Sequence, residues 1–93
     1  MASNFKVFKH HNGENVHLKL SGDFDGSSAY ELINIIDYYC NTTKNIFIHT
    51  SGLSSIHSFG ISIFKTKYSR HNNLVFTGEP GKELSLNGSR HIP

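Results

Sequence analysis

The stretch SSIHSFGIS, residues 54–62, sets Ser58 between His57 and the pair Phe59-Gly60, where a short apolar strand pattern hands over to a helical one. A hydroxyl at a helix start faces free backbone N–H groups and the positive end of the helix dipole. It is a natural cap, and also a place where an added phosphate is stabilised. Nucleophilic catalysis is not indicated. His57 and Ser58 are adjacent in sequence, so their side chains diverge, and there is no glycine-rich nucleophile elbow or carboxylate pair. Asp25, His49 and His57 offer an alternative chemistry. If they converge at the strand ends, two imidazoles and a carboxylate suit zinc or a small ligand. The seven histidines include no HxH or HExxH spacing, and no CxxC is present, so no metal motif supports that set and no cofactor is expected.

Ninety-three residues suit a single domain, 1–93, with one modest core. Apolar residues make up 37% and charged residues 17%, which fits a globular chain rather than a disordered or coiled-coil one. The net charge is +2 and the basic residues are scattered along the chain, so nucleic acid is not expected as a partner. No apolar run approaches a membrane span, and MASNFKVFKHH has no signal-peptide core. The one cysteine, Cys40, falls in an apolar helix pattern and reads as a small buried hydrophobe in a reducing compartment. A cytoplasmic protein without membrane insertion is expected.

These residues need elements to position them. Phe5–Phe8 and the alternating His17–Leu20 read as strands joined by an Asn12-Gly13 turn. SGDFDGSS reads as a turn, with Ser28 and Glu31 at capping-box spacing ahead of a helix from Ala29 to Cys40. Asn45–His49 is a central buried strand and Ser51–Ser55 a loop. A second helix starts at about Ser58 and carries Ile61, Phe64 and Tyr68 on one face. Leu74–Thr77 is another buried strand, Lys82–Leu86 a short helix, and Arg90–Ile92 an edge strand. Helices alternating with strands predict an α/β domain with a mixed, mostly parallel sheet of four to five strands. The helices should cover mainly one face, because only the hairpin strands alternate in polarity.

Three of these segments resemble a known family. LSGDFDGSSAYEL is similar to the turn and first helix of STAS domains, the module of anti-sigma factor antagonists and sulphate transporters. HTSGLSSIHSFGI aligns without a gap on that family's D-L-S-G-V-x-x-I-D-S-S-G-L stretch, and LVFTGEPGKELSLNG resembles the strand, turn and short helix that follow. The likeness spans residues 5–92 in the right element order. His49 and His57 stand where the motif has aspartates, and Phe59 replaces its second serine.

The resemblance implies a STAS-like fold and a non-enzymatic bacterial signalling module in transcription regulation, binding an anti-sigma factor with serine-kinase character. It places Ser58 on the serine that partner kinases phosphorylate, and Asp25 on the acidic residue of the neighbouring loop. Gly60 falls on the helix glycine that admits close backbone. Leu53, His57 and Phe59 complete the implied partner-binding set. Stand-alone members of the family also bind ATPase subunits of transporters, which is the alternative partner. The resemblance leaves the oligomeric state open.

Overall fold

The computed structural model describes residues 4–39, 42–67 and 74–79, and the backbone of 90–92. Cys40, Tyr68, His71 and the expected helix Lys82–Leu86 lie outside the described residues.

Two N-terminal strands, β1 (Lys6–Asn12) and β2 (Asn15–Phe24), form an antiparallel hairpin. Asn12 pairs with Asn15, so the turn residues are Gly13 and Glu14, one position beyond the expected pair. Gly13 has a φ of 62° and Glu14 is not left-handed, the pattern of a turn with glycine at its first central position. After β2 come α1 (Gly26–Tyr39), β3 (Asn45–Ile56), α2 (Ser58–Lys67), β4 (Leu74–Thr77) and β5 (Arg90–Ile92). The sheet has five strands in the order β1-β2-β3-β4-β5, all parallel after the first pair.

Both described helices serve one core. From β2 it takes Val16, Leu18, Leu20 and Phe24, and from β3 and β4 Ile46, Ile48, Leu74 and Phe76. Helix α1 adds Ala29, Leu32, Ile33 and Ile36 at helical spacing, and α2 adds Phe64. Edge-to-face rings run through this layer: Phe5–Phe24 at 6.0 Å, Phe24–Phe64 at 6.4 Å and Phe64–Phe76 at 6.0 Å. Strand parity then sends Phe8, His10, His17, Lys19, Phe47 and His49 to the opposite face, which neither described helix covers.

The strands run further than the sequence pattern suggests. Ser51–Ser55 belongs to β3, not to a loop, and SGDF belongs to β2. The two polar segments pair with each other as far as Phe24 and Ile56, through register shifts near Ser21 and Asp23. Their pairing is reinforced by the Ser55 hydroxyl, which donates to Asp23 Oδ1 at 2.6 Å. Burial fades along this part of β3, so the alternation that marks a strand fades with it.

Candidate functional site

Helices α1 and α2 begin side by side. Asp25 caps α1: its carbonyl accepts from Ala29 N at 2.9 Å, and its Oδ1 accepts from Ser28 N at 3.0 Å. This corrects the expected Ser28–Glu31 capping box. Ser28 is instead a buried residue inside the first turn, its hydroxyl 2.8 Å from the Asp23 carbonyl and 3.0 Å from Asp25 Oδ1. The Ser28 backbone N–H, with help from the Ser27 and Ser28 hydroxyls, lowers the Asp25 pKa to about 2. A fixed negative charge therefore stands at this edge throughout the physiological range.

At the start of α2, the His57 N–H donates to the Phe24 carbonyl at 2.8 Å, and the His57 carbonyl accepts from Ile61 N at 3.2 Å. The residue whose carbonyl takes the first helical bond is the cap, so His57 holds that position and Ser58 is the first helical residue. Gly60 is buried against the start of α1. A Cβ there would lie 2.6 Å from the Asp25 carbonyl oxygen and 2.8 Å from its carbon, which leaves no room for a side chain. The Phe59 ring lies over Gly26 yet is 69% exposed, and Ser58 and His57 are exposed beside it. Asp25, Ser58, Phe59 and Gly60 thus come together, two residues fixing the backbone and two presented to solvent.

Two expected members lie elsewhere. Leu53 is half-buried within β3 and packs against the core, away from the first turns of the two helices. His49 lies within β3, seven residues before its end, and strand alternation puts it on the sheet face opposite the core. Asp25, His49 and His57 therefore do not converge, and the described residues hold no group of three His, Cys, Asp or Glu side chains that could share a metal ion.

His49 has different partners. Its Nε2 is 2.9 Å from His17 Nδ1, with the two rings nearly parallel, and its Nδ1 is 2.8 Å from Thr77 Oγ1. His17 in turn stacks on Phe47 at 4.7 Å. The residue types in this row are visible in the sequence. What brings them together is the strand register, which polarity alternation alone does not supply. Burial, followed by the positive neighbours His17 and Lys19, lowers the His49 pKa from its ordinary value. An imidazole held below its unfolded pKa favours the folded state above about pH 6.5, and that contribution is lost as pH falls. The urea midpoint is expected to drop between pH 7.5 and 5.5, with a smaller drop in His49→Gln. An equal drop in both would show that His49 is not the source.

No protein-family model matches the chain, and no curated protein matches it. Solved structures do. The anti-sigma factor antagonist SpoIIAA in its unphosphorylated form matches with a TM-score of 0.61 at 14% identity, over 96% of this chain and 87% of that one. An uncharacterized protein of the DUF3478 family from Shewanella loihica, with a SpoIIAA-like fold, matches with a TM-score of 0.55 at 9% identity, over 99% and 90%. The chain has the SpoIIAA-like, STAS-type fold. Among the described residues, no helix is long and apolar enough to cross a membrane.

Proposed function

We propose that this chain is a non-enzymatic regulatory module that docks a protein partner through the edge where α1 and α2 begin, with Ser58 as a phosphorylation switch. One observation carries the reading. Phe59 holds a 69% exposed aromatic ring in the first turn of a helix whose position is fixed by Gly60 against Asp25. A rigidly presented aromatic ring with a polar surround has the character of an interface anchor. The likeness of fold to an anti-sigma factor antagonist supports an anti-sigma factor as the proposed partner, and the resemblance at Ser58 adds kinase character to that proposal.

In the unmodified state, covering the Phe59 ring contributes about 1–2 kcal/mol of apolar burial. Phosphate on Ser58 adds roughly −1.5 to −2 of charge, at an edge where Asp25 is already ionised. Desolvating that charge without a cationic partner opposes docking. The module then alternates between a docking form and a released form.

Ser58 variants test this against a plain helix-start serine. Because Ser58 follows the cap, Ser58→Ala should change stability by no more than about 0.5 kcal/mol and leave partner affinity unchanged. Ser58→Asp should weaken binding by roughly tenfold or more, as should phosphate detected on Ser58 by intact-mass analysis after kinase and ATP treatment. Wild-type affinity in Ser58→Asp, or no phosphate after that treatment, would contradict the switch.

A further inference from the structure

The basic residues are scattered along the chain, but the strand registers bring Lys6 and Lys19 together with three histidines on the sheet face opposite the helices. Phe8 pairs with Lys19 across β1 and β2, His10 pairs with His17, and Lys6 extends the row beside Ser21. Phe47 and His49 continue the face onto β3, where His17 lies against both. Val75, next to Phe47 on β4, is fully buried, so the exposed part of the face lies over β1 to β3. Phe8 is 59% exposed although it faces no core residue. A shallow trough of about 580 Å³ runs over Phe8, His10, His17, Lys19 and His49. A second, of about 300 Å³, shares Phe8, Lys19 and His49 with it and continues to Ser51 and Gly52. The one carboxylate that strand parity gives to this face, among the described residues, is Asp23 at its far end, where it accepts from Ser55.

We infer that this sheet face binds single-stranded nucleic acid, with bases stacking on Phe8 and the neighbouring imidazoles and phosphates met by Lys6 and Lys19. Aromatic rings on an open sheet stack unpaired bases, and cations between them track the backbone. The Phe8–Lys19 pair sets one of each side by side. A trough crossing three strands suits an extended polymer better than an enclosed small molecule. An acidic peptide would satisfy the lysines and leave the stacking surface unused. This site is independent of the Ser58 edge, which lies where the helices begin.

Fluorescence anisotropy with a short labelled oligouridylate tests it. Saturable binding is expected, with a log–log salt slope of about −1.4 for two phosphate contacts. Lys19→Glu should reduce the slope to about −0.7. Phe8→Ala should weaken binding roughly tenfold without changing the slope. Lys67→Glu, the same charge change at the end of α2, should have little effect, and a duplex of equal length should bind far more weakly. Both face residues are exposed, and far-UV circular dichroism confirms that the variants fold. Absence of binding at low salt, wild-type affinity in Phe8→Ala, or equal competition by oligoglutamate would overturn the inference.

Discussion

Phe64→Ala is expected to remove about 3–5 kcal/mol of stability, the usual cost of emptying a buried phenylalanine site. Phe64 is fully enclosed, with edge-to-face contacts to Phe24 on β2 and Phe76 on β4. Domains of this size have roughly 5–15 kcal/mol in total, so the variant gives up a large part of its margin. The effect bears on the candidate site. Helix α2 has ten residues, of which only Gly60 and Phe64 are buried. Without the Phe64 ring, the helix that presents Ser58 and Phe59 keeps only the partly buried Ile61 and Ile63 against the core. Urea unfolding followed by circular dichroism measures the loss. A change below about 1 kcal/mol would show that other contacts anchor α2.

Phe59→Ala should have the opposite profile. The ring is largely exposed, so stability should change by about 0.5 kcal/mol or less. Partner affinity should fall by about 1–2 kcal/mol, up to roughly thirtyfold, as expected for an aromatic anchor in an interface. Titration calorimetry and thermal melting on the same sample separate the two quantities. A stable variant that binds like wild type would move the interface away from this edge. A variant that loses both would give Phe59 a structural role over Gly26 instead.

Much of the fold is legible in the sequence where one physical signal dominates. Ala29, Leu32, Ile33 and Ile36 mark α1 by their spacing, and all four are buried. Leu74–Thr77 reads as a buried strand and forms one. Signals fail where two explanations compete. The capping-box spacing points to Ser28, and only the bond from Ser28 N to Asp25 Oδ1 shows that Asp25 holds the cap. Serine and glycine in 51–55 suggest a loop, because at the end of a sheet backbone pairing persists after side-chain burial has faded. That extension separates His49 from His57 and dissolves the metal set with Asp25. The aromatic and basic face is hidden for a related reason. Its members are distant in sequence, and only the pairings of β1, β2 and β3 align them.

The central claim is that the edge carrying Phe59 is where a protein partner binds. Replacing Phe59 by a photo-cross-linking phenylalanine analogue in the source cell tests it directly, with the same replacement of Tyr38, 75% exposed near the end of α1, as reference. The expected result is one dominant protein adduct from position 59, absent from position 38 and lost when Ser58 is changed to Asp. No adduct from position 59, or the same adducts from both positions, would contradict the claim.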